Sequence, residues 1–168
     1  MTGPFNIDGG VHQIPLPDVP GRLHVCGKHV VAPNPDEVMG RLGADVVVCL
    51  VEQPELAHRY DGYVDWLRVE AGRRAEWWPI PDLSYPAVEH MTDRLGTLAS
   101  RLSDGAGVII HCGAGIGRAG TTAVALLMLL GTPIDDALAS VRTHRPGAGP
   151  EAGSQRSFIE ALHARLHD

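Results

Sequence analysis

The chain contains few cysteines and no long apolar segment, and each scarcity excludes a class of protein. Its three cysteines, Cys26, Cys49 and Cys112, form an odd and sparse set, unlike the paired framework of a small secreted protein. The longest apolar run, residues 123–130, is too short to span a bilayer, and the first residues lack the basic start and apolar core of a secretory signal. We therefore expect a reducing, cytoplasmic location and no membrane partner.

Basic residues are outnumbered as well. The sequence has 14 Lys and Arg residues against 20 Asp and Glu residues, a formal net charge of −6 at pH 7. That balance argues against nucleic acid or an anionic membrane surface as the main partner. Aromatic residues make up only 5% of the chain, but the total hydrophobic content of 44% is ordinary for a folded protein. The length predicts a single domain over residues 1–168. Its first part, residues 1–21, is predicted to be an extended, proline-rich segment.

Predicted strands alternate with predicted helices along the chain. Apolar segments at residues 23–26, 44–50, 76–80 and 107–110 favour short strands, and an edge strand is expected near residues 11–16. Helical signals occupy residues 34–42, 52–72, 85–103, 120–130, 132–143 and 151–167. The alternation predicts an α/β fold with a central, mostly parallel sheet flanked by helices. In such sheets ligands bind beyond the carboxyl ends of the strands.

The most informative segment runs from His111 to Arg118, between a predicted buried strand and a predicted buried helix. A strand, a glycine-rich loop and a helix N-terminus together form a cradle for anions, because successive backbone N–H groups converge there and the helix dipole adds positive charge. The sequence therefore predicts a phosphate-binding loop made of Gly113, Ala114, Gly115, Ile116 and Gly117.

A cysteine and an arginine bracket this loop. The field that holds a phosphate also favours a thiolate, so we expect Cys112 to be ionised near neutral pH. Arg118 offers a planar fork that matches two phosphate oxygens. Together they predict a nucleophile beneath a bound phosphoryl group. The alternative is a structural Cys112 in a tight turn, with Arg118 as a surface charge.

A cysteine preceded by histidine and followed after five residues by arginine resembles the signature of the protein tyrosine phosphatase superfamily, in its compact dual-specificity-type branch. The resemblance implies phosphomonoester hydrolysis through a cysteinyl-phosphate intermediate, with Cys112 as nucleophile and neither metal nor cofactor. Phosphorylated proteins are the implied substrates, bearing phosphotyrosine and possibly phosphoserine or phosphothreonine. The five loop residues include no lysine or histidine, which favours a substrate with one phosphate.

Hydrolysis of a phosphate ester also needs a proton donor for the leaving group. Asp82 lies on a proline-rich segment 30 positions before Cys112, and by resemblance to the family we assign it as the general acid. Trp77 and Trp78 predict partly apolar surroundings for this carboxyl group. A role as a turn or cap residue before the next helix is the alternative.

Several further residues support the resemblance. His111 ends the buried strand, and we expect it to hydrogen-bond the backbone around the loop. Gln155 matches a family glutamine that orients the hydrolytic water in some members, although a polar residue at a helix N-terminus is an equally simple account. Arg145 is expected to anchor the fold through carboxylate contacts. The family usually has Ser or Thr after the arginine, whereas this chain has Ala119, a departure that affects breakdown of the phosphoenzyme.

Cys49 follows the predicted strand over residues 44–50, next to the strand that leads to Cys112. Some family members protect an oxidised nucleophile through a disulfide to a cysteine on this strand, so Cys49 is a possible redox partner. A small core residue is the alternative. Two further functions stay open: a phosphate-binding pseudophosphatase with little turnover, and a phosphoinositide phosphatase.

Overall fold

The computed structural model describes residues 10–168, and the part of the predicted N-terminal segment over residues 1–9 lies outside the described residues. A five-stranded sheet with the order β1-β2-β5-β3-β4 forms its centre. Only β1 runs antiparallel to its neighbour; the other three pairings are parallel. The predicted mostly parallel sheet is thus confirmed. Its strands are β1 (Val11–Ile14), β2 (Arg22–Gly27), β3 (Val46–Cys49), β4 (Ala75–Trp77) and β5 (Gly107–Cys112).

Helices flank the sheet, as predicted. Within residues 10–168 they are α1 (Lys28–Val31), α2 (Pro35–Leu42), α3 (Gln53–Leu56), α4 (Asp61–Glu70), α5 (Val88–Ser103), α6 (Arg118–Leu129), α7 (Ile134–His144) and α8 (Gly153–Leu166). The apolar helix α6 packs against α5, α7, α8 and the strand β5, and eleven of its 12 residues are buried. Among the described residues, no helix is long and apolar enough to cross a bilayer.

The centre of the sheet explains where a site can form. Every residue of β3 and β5 is buried, so both strands are covered on both faces, and His111 is the one polar side chain in them. In the pairing register, Cys26 of β2 and Cys49 of β3 both lie opposite His111 of β5. The carboxyl ends of three parallel strands therefore meet where the loop after Cys112 begins.

Two predicted boundaries differ from the structure around the segment that carries Asp82. β4 ends at Trp77 rather than residue 80, because the N–H groups of Trp78 and Ile80 donate to the adjacent carbonyls of Cys49 and Leu50, whereas the evenly spaced bonds of a regular parallel ladder would place these acceptors two residues apart. α5 begins at Val88 rather than at residue 85, and Ala87 before it is extended, with ψ 152°. The short helix α1, which directly follows β2, was not predicted.

Candidate active site

Four of the five backbone carbonyls in the loop after β5, those of residues 113–116, accept hydrogen bonds from other parts of the fold. Lys28 N–H donates to the Gly113 carbonyl at 3.1 Å, and Gly149 N–H donates to the Ile116 carbonyl at 3.0 Å. The buried side chain of Arg145 donates to two more, Nη2 to Ala114 at 2.9 Å and Nε to Gly115 at 2.6 Å. Since C=O and N–H of one trans peptide point in opposite directions, carbonyls turned outward leave N–H groups turned inward.

Those inward groups remain available to a ligand. Within residues 10–168, the N–H groups of Ala114, Ile116 and Gly117 make no hydrogen bond to protein. The Gly115 N–H donates to the Cys112 Sγ at 3.2 Å. Backbone donors without partners at the start of a helix bind anions. The loop therefore has the arrangement of a phosphate cradle around Cys112.

Glycine at position 115 is required by the tight path of this loop. Its φ of 74° is left-handed, and a Cβ there would overlap the Cys26 carbonyl and approach Arg145. A side chain at position 117 would overlap the Glu151 carboxylate. The two glycines thus let the neighbouring strand and the segment before α8 pack directly on the loop.

Arg118 is almost fully buried, and a carboxylate that the sequence did not single out holds it. Glu55 accepts from both Nη1 and Nη2 at 2.8 Å, and the Ile80 carbonyl accepts from Nη1 at 2.8 Å. Burial alone raises the pKa of Glu55, but the hydrogen bonds from Arg118 bring it below its usual value. Arg118 Nε is buried and has no hydrogen-bond partner within the described residues, so the Nε edge of the guanidinium is the one left for a ligand.

Cys112 and Arg118 line a cavity of about 420 Å³, and Asp82 lies at its mouth. Its Oδ1 is 3.5 Å from Arg118 Nη2, and its side chain is 72% exposed. The partly apolar surroundings predicted from Trp77 and Trp78 are therefore wrong. Trp78 is buried in the core instead, because the chain stays hydrogen-bonded to the segment at the end of β3 as far as Ile80, whose N–H donates to the Leu50 carbonyl.

A family profile described as the DSP-PTPase phosphatase domain of Swiss Army Knife proteins matches residues 19–157. The crystal structure of Tk-PTP in its active form is 34% identical, with a TM-score of 0.68, and the alignment covers 88% of this chain and 94% of that one. This chain belongs to the dual-specificity type of protein tyrosine phosphatase. The predicted family is thus confirmed.

Other solved phosphatases show the fold of the domain at lower identity. Kinase-associated phosphatase (KAP), with serine in place of its catalytic cysteine, is 21% identical with a TM-score of 0.77, covering 94% of this chain and 95% of that one. PTPMT1 in complex with PI(5)P is 15% identical with a TM-score of 0.68, covering 86% and 92%. No curated protein matches the chain.

Arg145 anchors the phosphatase domain through main-chain carbonyls. Besides its bonds to the loop, Arg145 Nη1 donates to the Gly10 carbonyl at 2.9 Å and the Val25 carbonyl at 3.3 Å, and the expected carboxylate contacts stay a prediction. By binding the carbonyls of Ala114 and Gly115, Arg145 keeps these two carbonyls pointing out of the loop. One side chain thereby ties the loop to β2 and to the start of β1.

Gln155 is fully buried beside the loop. Its Oε1 accepts from the Glu151 N–H at 2.8 Å, and its Nε2 lies 3.5 Å from the Ser84 carbonyl. Both atoms would be 3.1 Å from a Cβ at position 117. The glutamine therefore connects the loop, the segment after Asp82 and the start of α8.

The hydroxyl missing at Ala119 is not replaced by its neighbours. Thr121 Oγ1 donates to the Gly117 carbonyl at 2.7 Å, and Thr122 Oγ1 donates to the Arg118 carbonyl at 2.9 Å. Both hydroxyl protons are thus used within the first turns of α6. Neither proton is therefore left to donate to the Cys112 thiol.

Three charged residues of the cavity were missed by sequence reasoning, namely Lys28, Glu55 and Glu151. Lys28 follows β2 and its Nζ donates to the Glu55 carbonyl at 2.9 Å. Lys28 and Glu55 each follow a predicted strand within a few residues. The rule that ligands bind at the carboxyl ends of parallel strands was the signal that could have found both.

Proposed function

We propose that this domain hydrolyses phosphomonoesters on proteins, phosphotyrosine and possibly phosphoserine or phosphothreonine, through a cysteinyl-phosphate intermediate. The observation that carries the proposal is the loop, whose carbonyls are held outward while unpartnered N–H groups and Arg118 surround the Cys112 thiol. Pure anion binding needs no thiol at the base of such a cradle.

The first step is attack by the Cys112 thiolate on phosphorus. The Sγ–P bond forms as the ester P–O bond breaks, and Asp82 gives its proton to the leaving oxygen. Arg118 and the loop N–H groups balance the charge on the phosphoryl oxygens in the transition state. The glutamate partner of Arg118 keeps the guanidinium in place for this task.

Water completes the cycle. A water molecule attacks the phosphocysteine, Asp82 takes back a proton, the S–P bond breaks and inorganic phosphate leaves. Gln155, buried against the loop near Gly117, is the residue we assign to orient this water. No metal or cofactor takes part in either step.

The mouth of the cavity supports an aromatic phosphoester. Leu83 is 56% exposed and lines the cavity, and so does the half-buried Ile116 of the loop. Two apolar side chains at the rim offer a contact for a phenyl ring. A phosphoinositide is less well matched, because Lys28 and Arg118 face three lining carboxylates, Glu55, Asp82 and Glu151.

The decisive experiment is hydrolysis of p-nitrophenyl phosphate and of matched phosphotyrosine and phosphoserine peptides by wild type and Cys112→Ser. The serine hydroxyl is neutral at pH 7, so the variant should lose nearly all activity and still bind vanadate or tungstate. Full activity in the variant, or loss of wild-type activity on adding EDTA, would contradict the mechanism. A burst of product followed by very slow turnover would instead favour the pseudophosphatase.

A further inference from the structure

Two opposite charges at the cavity around Cys112 form no ion pair with the protein. The charged side chains that line this cavity are Lys28, Glu55, Asp82, Arg118 and Glu151. Glu55 accepts from Arg118 through both oxygens, and Asp82 lies 3.5 Å from the same guanidinium. Among residues 10–168, neither Lys28 nor Glu151 forms a salt bridge. These two charges are therefore the ones left to meet a substrate.

Lys28 lies on the wall of the cavity that α1 and α3 form. Its backbone N–H donates to the Gly113 carbonyl at 3.1 Å, and its Nζ donates to the Glu55 carbonyl at 2.9 Å. An ammonium group carries three N–H donors, so two of them remain after the bond to Glu55. Lys28 is only half-buried, which leaves these donors within reach of an anionic group on a substrate.

Glu151 lies on another wall, just before α8. It is exposed, and a Cβ at position 117 would overlap its Oε1. α8 packs against α5 and α6, whereas α1 packs against α2 and β2, so the two charges reach the cavity from separate groups of helices. Gly113 and Gly117 are the first and last residues of the loop. The positive charge is therefore beside one end of the loop and the negative charge beside the other.

We propose that Lys28 and Glu151 determine specificity by selecting phosphotyrosine sites with an acidic residue on one side and a basic residue on the other. The inference rests on the proposed function. With the phosphoryl group in the loop and the ring against Leu83 and Ile116, the two neighbours of the phosphotyrosine lie over the rim. In an extended peptide these neighbours are about 7 Å apart. The matched order brings two attractions, and the reversed order brings two repulsions.

The test uses two phosphotyrosine peptides of identical composition, one with aspartate before and lysine after the phosphotyrosine and one with the reverse order. Wild type should show a kcat/KM about tenfold higher for one order than for the other. The difference should shrink as salt is raised toward about 1 M, where the Debye length is about 3 Å. A merely structural role would change both rates and leave their ratio near one. Equal rates on the two peptides would overturn the proposal.

Variants then locate the preference. Lys28→Arg should keep the ratio, Lys28→Glu should bring it close to one, and Lys28→Glu combined with Glu151→Lys should favour the opposite peptide. Arg142→Glu makes the same change of charge at an exposed position of α7, and it should match wild type. A full preference in Lys28→Glu, or an equal loss of preference in Arg142→Glu, would also overturn the proposal.

Binding separates this inference from the proposed function. Cys112→Ser keeps both charges, and its affinity for the two peptides is measured without turnover. Lys28 is the only lysine in the chain, so its acetylation, followed by peptide mass spectrometry, should be slowed more by the preferred peptide than by the reversed one. If wild type hydrolyses neither peptide nor p-nitrophenyl phosphate, the proposed function is rejected, and unequal affinities would still support the two charges as specificity determinants. Equal affinities and equal protection of Lys28 would reject that role as well.

Discussion

At the scale of single residues, two carboxylates compete for the role of general acid. Asp82 and Glu151 both line the cavity around Cys112. Asp82 sits next to Arg118 on the segment that leaves β4, whereas Glu151 packs against the loop at Gly117. We assign Asp82, because a leaving group points out of the cavity, toward its exposed mouth, when the phosphoryl group fills the loop.

Replacing Asp82 by Asn should lower kcat by about 10²–10⁴-fold, the usual contribution of general acid catalysis. The loss should be largest for alkyl phosphates, which are poor leaving groups, and the basic limb of the pH–rate profile should disappear. Glu151→Gln is the matched control and should keep that limb. If the basic limb were lost only in Glu151→Gln, Glu151, just before α8, would be the general acid instead.

Ala119→Ser tests the departure from the family pattern. The hydroxyls of Thr121 and Thr122 already donate to the carbonyls of Gly117 and Arg118. A serine at position 119 should therefore supply the missing hydrogen-bond donor to the Cys112 sulfur as it leaves phosphorus. We expect faster breakdown of the phosphoenzyme in rapid-quench experiments, with formation unchanged. Ala123→Ser, one turn further along the buried helix, controls for the cost of a buried hydroxyl. Equal breakdown rates in wild type and Ala119→Ser would mean that no donor is lacking.

At the scale of elements, the segment from β5 to α6 could be predicted from the sequence because its signals are local. A buried apolar run, a glycine-rich loop and an apolar helix stand side by side, and Cys112 and Arg118 lie inside them. The positions of Lys28 and Glu55 just after predicted strands mark both as candidates, but their contact with the loop could not be predicted, because it depends on the order of β2, β5 and β3 in the sheet. The acceptors of Arg145 likewise come from three separate elements.

Arg145→Lys should separate the loop from its outer support. Arg145 donates to Ala114, Gly115, Gly10 and Val25, and a single ammonium cannot reach all of these acceptors. We expect a loss of roughly 3 kcal/mol in the free energy of unfolding and clearly weaker binding of vanadate. The exposed Arg142 of α7 gives the control variant Arg142→Lys, which should change neither. Unchanged vanadate affinity in Arg145→Lys would show that the loop keeps its shape unaided.

The predicted disulfide between Cys49 and Cys112 belongs to the same scale. β2 and β3 both flank β5, and Cys26 and Cys49 both lie opposite His111, so Cys26→Ser is a matched control for Cys49→Ser. After peroxide treatment, dithiothreitol should restore less activity in Cys49→Ser than in wild type or Cys26→Ser. Non-reducing peptide mapping should find the Cys49–Cys112 pair. Equal recovery in all three proteins, with no such peptide, would rule it out.

At the scale of the whole molecule, the groups that build the site also set how stability depends on pH. Burial lowers the pKa of His111 to about 4 and lowers the pKa of His12 and His24 as well. The carboxyl group of Glu55 has a lowered pKa because of Arg118, despite its burial. Both kinds of shift act in the same direction, since each makes the folded state bind fewer protons than the unfolded state in acid.

The domain should therefore lose stability steadily as the pH falls from about 6.5 to 4. Above pH 6.5 His111 is neutral in both states. Below that pH, His111 binds a proton in the unfolded state, whereas in the folded state it stays neutral until about pH 4. This difference lowers the free energy of unfolding by roughly 3 kcal/mol. Urea unfolding of wild type should show this slope, and His111→Gln should flatten it, while the exposed-site control His90→Gln should keep it. An identical slope in His111→Gln would mean that His111 becomes protonated at the same pH in the folded and unfolded states, and the loss of stability in acid would then have another cause.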